Sequence, residues 1–338
     1  MDTVFIITGL LAIAASLAIF IRILVLRSKC MDDEFFTHAV QYVRYFEPWD
    51  EMTQQWVDEE YQDGVDQNGN PVYRTRKVLK DVVVEHEAYY DAVFENGNSI
   101  QITQGMYEDA GSLFGDKAEF YDMRRDYHSI DGDMWSHSWN GNPYQCYAIT
   151  LKRKYRNPVR QTRSLFRSEE ITKEDAHNEG LYDRIPYKNV YGAEIDSDKA
   201  RYNGWISSRL TMRNGMRVNY LFFKGKGPEI AERQKQYWWN GSRNEMTVCV
   251  GTDDKVVKWC RCFSWSNDRT LELMVEKQVE GLFIPDTRMT GDFILENCEK
   301  WVYNDLSEYE YLDRKTGMVW TGVAGAVVGI VLLLIGLC

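Results

Sequence analysis

The chain has 338 residues, with 51 acids against 40 lysines and arginines for a net charge of -11, and it carries 11 Trp, 21 Tyr and only 7 Pro. That aromatic content with so little proline excludes a disordered linker, and the acidic balance argues against nucleic acid as a partner. Without its apolar ends the chain keeps about 285 residues, Met31 to Lys315, enough to build a core without staples.

The first element is apolar. Val4 to Ile21 contains eighteen residues without a charge, and Gly317 to Cys338 supplies twenty-two more at the other end. Roughly 20 such residues cross a hydrocarbon core about 30 Å thick as a helix. Both ends therefore qualify as membrane spans. Asp2 stands where a signal peptide has basic residues, and no small-residue cleavage site follows the run, so the first span reads as a retained anchor. Arg22, Arg27 and Lys29 follow it, while Arg314 and Lys315 precede the second. Cations mark the cytoplasmic side, so both spans place the middle of the chain in the cytoplasm. Seven cysteines, an odd number without a disulfide framework, suit that reducing compartment. The sequon at Asn240 would matter only in a translocated domain.

After the anchor, residues 1–30, a β-rich region is expected over 31–168. "MDDEFFTHAVQYVRYF" has helical spacing at Phe35, Phe36, Ala39, Val40 and Val43 and reads as a short amphipathic helix. "WVDEEYQDGVDQNGNPVYRTRKVL" and "YYDAVFENGNSIQIT" read as two β-hairpins turned at Asn-Gly. From Met134 to Ser168 no acid occurs, while Lys152, Arg153, Lys154, Arg156, Arg160, Arg163 and Arg167 do. Anionic lipid headgroups would suit such a run beside a membrane, and phosphates of nucleic acid compete for the same chemistry. The plainest account is a strand, "YQCYAITLKRKY", whose cations pair with the surplus acids elsewhere.

Residues 169–192 form a connector, and 193–312 show the most organised pattern. "EIDSDKARYNGWISSRL" reads as a helix, "MRVNYLFF" as a buried strand and "GPEIAERQKQYW" as a helix. "EMTVCVG" and "KVVKWCRCFSW" follow as strands, then "NDRTLELMVEKQVEGL" and "TGDFILENCEKWVYNDL" as helices, the last leading into the anchor at 313–338. Strand-helix-strand implies a parallel pair, and the next strand adds an antiparallel neighbour. The fold class is thus α+β: two terminal transmembrane helices flank a cytoplasmic domain with a β-rich first part and a small α/β sandwich. "NEMTVCVGTDDKVVKWCRCFSW", with the preceding "QYWWNGS", resembles a segment of uncharacterised membrane-anchored proteins of bacteria and tailed phages. The order of elements over 190–303 also resembles the TPM domain; that resemblance implies a fold and no activity.

Chemistry-bearing clusters are sparse. His128, Asp131 and Asp133 in "YHSIDGDMW" could bind a divalent cation or do acid-base work, which makes a membrane-bound metal-dependent hydrolase the enzyme alternative. Asp-Gly-Asp is equally ordinary turn chemistry. Cys249, Cys260 and Cys262 lie on neighbouring strands without zinc spacing and read as small buried hydrophobes. "FKGKGPE" puts glycines before a helix but lacks the third glycine of a dinucleotide loop. Gly325 and Gly329, with Ala14 and Ala18 in the first span, have the spacing that lets helix backbones approach, and pairing within one chain is expected. No cofactor is implied. These features converge on a membrane-anchored interaction or scaffolding protein, whose partners are the lipid bilayer, another protein and, through the cationic run, anionic lipid.

Overall fold

The computed structural model describes residues 2–115, 117–120, 134–161, 171–253, 256–280, 282, 286–312 and 315–337. It is mixed α+β, and the chain divides into two compact units: Met1–His38 with Thr150–Cys338, and Ala39–Ile149. Helix α1 (Asp2–Lys29) gives way after one residue, Cys30, to strand β1 (Met31–Phe46), which begins in the first unit and ends in the second.

A helix was the expectation for 31–46, and a strand stands there. The apolar positions fit either period at short range, but the segment is rich in aromatic and β-branched residues, which favour a pleated surface with neighbours. Those neighbours exist. In the second unit the strands are β2 (Trp49–Val65), β3 (Pro71–His86), β4 (Tyr89–Phe94), β5 (Ser99–Ile102), β6 (Lys117–Phe120) and β7 (Met134–Ser138). Strand β1 is antiparallel to β4 on one side and β7 on the other, in the order β5-β4-β1-β7-β6. Phe46 stacks on its cross-strand partner Tyr89 at 4.3 Å. Helix α2 (Gln104–Phe114) starts at Thr103, whose hydroxyl accepts the Met106 amide at 3.3 Å.

Strands β2 and β3 form a separate two-stranded sheet. Its turn is an Asx type: the Asp66 carboxylate accepts the amides of Asn68 and Asn70, each at 2.8 Å. Both expected hairpins are present, but this one runs much further than its Asn-Gly signal shows.

Strand β8 (Ala148–Arg156), which also pairs with β1, belongs to the first unit from Thr150 on, and that unit holds a four-stranded sheet in the order β12-β11-β10-β9. Its strands are β9 (Val190–Tyr191), β10 (Arg217–Lys224), β11 (Glu245–Asp253) and β12 (Val256–Ser264). The β9, β10 and β11 strands are mutually parallel, and β12 is antiparallel, as the strand-helix-strand-strand pattern requires. One face packs on α4 (Ser197–Asn214), α6 (Thr270–Val279) and α7 (Thr287–Asn297) through Ile206, Leu210, Val275 and Ile294. The other packs on α3 (Lys173–Glu179) and α5 (Glu229–Trp238) through Ala176, Ile230 and Trp238. Gly251 of β11 lies directly under the Trp259 indole, where any Cβ would overlap the ring.

Helix α8 (Lys315–Leu337) does not continue from α7; the chain between them includes the tight turn Ser307–Leu312. Thr3–Val25 of α1 is long and apolar enough to cross a membrane, whereas the apolar stretch Thr321–Ile335 of α8 is shorter. The two helices pack antiparallel: Gly9 faces Gly329, Ser16 faces Gly325, and Phe20 faces Gly322. A Cβ on Gly329 would lie 2.9 Å from the Gly9 carbonyl oxygen, so backbone meets backbone there. Gly325 and Gly329 thus face α1, but Ala14 and Ala18 do not face α8; both are exposed. The contacting stripe of α1 is Gly9, Ile13, Ser16 and Phe20, and the two alanines fall off that face.

Candidate functional site

Immediately after α1 the chain reads Asp32, Asp33, Glu34, and each acid is matched with cations distant in sequence. Glu34 is fully buried and accepts Arg243 through Nε at 2.8 Å and Nη2 at 3.3 Å, with the Tyr303 hydroxyl at 2.5 Å. Arg153 approaches the same carboxylate at 3.7 Å. Asp33 pairs with Lys152 at 2.7 Å, and Asp32 lies 3.7 Å from Arg184 while accepting the Tyr155 hydroxyl at 3.3 Å.

Arg184 then reaches Glu245 at the start of β11, donating at 2.9 Å, and Arg217 approaches that carboxylate from β10 at 3.8 Å. Burial alone would push the Glu245 carboxyl up; Arg184 and Arg217, with the Ser242 amide, hold it below the ordinary carboxylate value. Burial also pulls the Arg217 guanidinium down, against the field of Glu245. Such a network orders the first residues of β1 against the sheet, because removing either sign strands a buried charge.

Beside it opens a groove of about 280 Å³ lined by Arg153, Lys154, Tyr155, Arg156, Arg243 and Leu306, with Asp305 at its wall. Arg243 is fixed in place: Glu34 holds it in a fork, and its guanidinium lies over Tyr155 at 4.4 Å and Tyr303 at 4.8 Å. Arg153 is 73% exposed at its side chain, so its charge is open to solvent from the groove. The groove's position is set by the backbone. The Asn157 amide donates to the Cys30 carbonyl at the end of α1 at 2.6 Å, and Leu306 precedes the turn that leads to α8. Behind it pack Tyr155, Val159, Trp265, Leu306 and Tyr309. Cations grouped over an apolar and aromatic floor can take a phosphate monoester or diester.

Of the expected cationic residues, Lys152 is spent on Asp33, Arg153 is shared with Glu34, and Lys154 and Arg156 line the groove. Arg160 lies on the tight turn Pro158–Gln161, and Arg163 falls outside the described residues. His128, Asp131 and Asp133 also lie outside them, and among the described residues no group of three or more His, Cys, Asp or Glu could hold a metal ion. Cys260 and Cys262 enter one core and Cys249 the other, so the three do not share a face. Burial pushes the Cys249 and Cys262 thiols well up, which leaves both unreactive. At the loop before α5 the Glu229 carboxylate stands against Gly227, where an anion would have to sit.

Sequence reasoning missed Arg243, Glu34, Tyr303, Arg184 and Glu245. The one available signal was the acid triplet directly after an apolar helix, a place where three exposed charges alone would be unremarkable. No known protein family, no curated protein and no solved structure matches this chain.

Proposed function

We propose that this is a membrane-anchored interaction and scaffolding protein whose α1 and α8 both cross the bilayer and hold the α+β body on the cytoplasmic side. The observation that carries the reading is the paired helices. They meet backbone to backbone at Gly9 and Gly329, yet Leu10, Leu11, Leu17 and Leu24 on the outside of α1 are 56 to 66% exposed. A stripe of that size is costly in water and at ease in lipid. Cations stand only at the body-side ends of both helices, Arg22, Arg27 and Lys29 on one and Arg314 and Lys315 on the other, which supports the cytoplasmic orientation. In sealed vesicles of known sidedness, protease added at the cytoplasmic face should digest the body, and protease at the other face should leave it whole. Digestion from the opposite face overturns the orientation, and release of the chain by alkaline carbonate overturns the spans.

A second reading, anionic-lipid binding, is favoured by the groove. Its cations lie next to the end of α1, where headgroups would be. Each cation near an anionic surface contributes about 1 kcal/mol, so replacing Arg153, Lys154 and Arg156 with Gln should weaken retention of phosphatidylglycerol by the detergent-solubilised chain about a hundredfold. Native mass spectrometry reads the bound lipid; equal retention by both forms removes this reading.

A further inference from the structure

Strands β2 and β3 pair only with one another among the described residues, and at about 3.4 Å per residue they make a ribbon roughly 50 Å long. An isolated two-stranded ribbon is marginal in water, and each of its outer edges presents a row of unsatisfied backbone groups. This one also exposes large apolar side chains, with Trp56 at 68% and Leu79 at 45%. Some partner is required to cover it.

The charges say which. β2 carries six acids, Asp50, Glu51, Asp58, Glu59, Glu60 and Asp63, and no base. β3 carries Arg74, Arg76, Lys77 and Lys80 against Asp81 and Glu85. Setting β2 beside another β2 faces acids with acids along the whole strand, which is destabilising, and β3 beside another β3 offers its four bases only two acids. Setting β3 of one copy beside β2 of the next repeats the pairing already made within the chain, where Glu59 takes Arg76 at 2.8 Å and Lys80 at 2.7 Å and Asp63 takes Arg74 at 2.8 Å.

The two faces of the ribbon divide this labour. Residues directly opposite share a face, so Glu59, Arg76 and Lys80 lie on one and Asp58, Glu60 and Lys77 on the other with Trp56 and Leu79. Within the described residues Asp58, Glu60 and Lys77 form no ion pair. They are acids on β2, a base on β3, beside the exposed indole and leucine.

We propose that the β2–β3 ribbons of successive copies of this chain join side by side, β3 of one to β2 of the next, into one antiparallel sheet. Such a contact is heterologous, and when the rotation between copies closes it gives a ring. The proposal rests on the membrane reading in one respect: anchorage in a common bilayer gives neighbouring copies the shared orientation this pairing needs.

The test uses the full chain in detergent, prepared as an equal mixture of ¹⁵N-labelled and unlabelled protein and treated with a carbodiimide that joins carboxylates to amines. Mixed-isotope peptides linking Lys77 to Asp58 or Glu60 are expected, with an oligomer by native mass spectrometry. The double variant Asp58→Lys, Glu60→Lys should lose those links and revert to monomer. Excision of residues 47–88, with Phe46 and Tyr89 joined by an Asn-Gly turn, should do the same; these two residues are already cross-strand partners, so the remaining sheet can close. A monomeric parent chain, links confined to one isotope, or an oligomer that survives excision each overturns the proposal. Carbonate extraction is scored separately: a chain that is stripped from the membrane but still cross-links refutes the anchorage and leaves the ribbon contact standing.

Discussion

Two pairs of strands in this molecule carry the same cross-strand combination of glutamate and arginine under opposite conditions. In the central sheet Arg217 of β10 stands opposite Glu245 of β11, and every residue of β10 from Arg217 to Phe223 is buried. In the ribbon Glu59 of β2 stands opposite Arg76 of β3, and no residue of β3 is fully buried. The buried pair is tied into a network that fixes the first residues of β1. The exposed pair lies in solvent, where salt and side-chain entropy cancel most of its attraction. The same pair of residues thus acts as a structural lock where it is buried and contributes little where it is exposed.

The sharpest way to break the contrast is Glu245→Ala, which leaves Arg184 and Arg217 without their counter-ion. It should cost about 3–5 kcal/mol in chemical denaturation of the full chain, enough to unfold a marginal unit. Next comes Gly251→Ala: its Cβ forces the Trp259 indole from its place over β11, with an expected loss of about 1–3 kcal/mol by the same assay. A pH series sharpens the comparison further. Because the folded Glu245 carboxyl titrates below its unfolded value, its contribution is complete above the ordinary carboxylate range and is lost as pH falls through the depressed folded value. The midpoint of acid unfolding should therefore move to higher pH in Glu245→Gln. Smallest of all is Glu59→Ala, for which the thermal midpoint should not move although Lys80 and Arg76 hold that carboxyl below its usual range. A marked loss of stability there would mean that the ribbon is buried in the free chain.

Much of the first unit was legible. "MRVNYLFF" and "EMTVCVG" are long enough apolar runs to demand burial on both faces; the helix expected over 194–210 instead runs Ser197–Asn214, between Asp196, which accepts the Lys199 amide, and Gly215, which turns left-handed at φ +70. The spacing of Gly325 and Gly329 also pointed to helix pairing, although the matching stripe on α1 was misplaced, since glycine and serine at 9 and 16 made a better approach than the alanines. β1 was misread because local spacing could not register that β4, β7 and β8 would supply strand partners. The groove was half legible. Its cations on β8 stand in one run, but Arg243 and the acid that holds it, Glu34, are brought together by the fold across 209 positions.

One residue separates α1 from β1, and Cys30 is wholly enclosed with its carbonyl held by Asn157. A longer, looser joint would absorb rotation of the helix; a joint this short transmits it. Any tilt or roll of α1 therefore bears directly on the first residues of β1, where Asp32, Asp33 and Glu34 are held by their ion pairs.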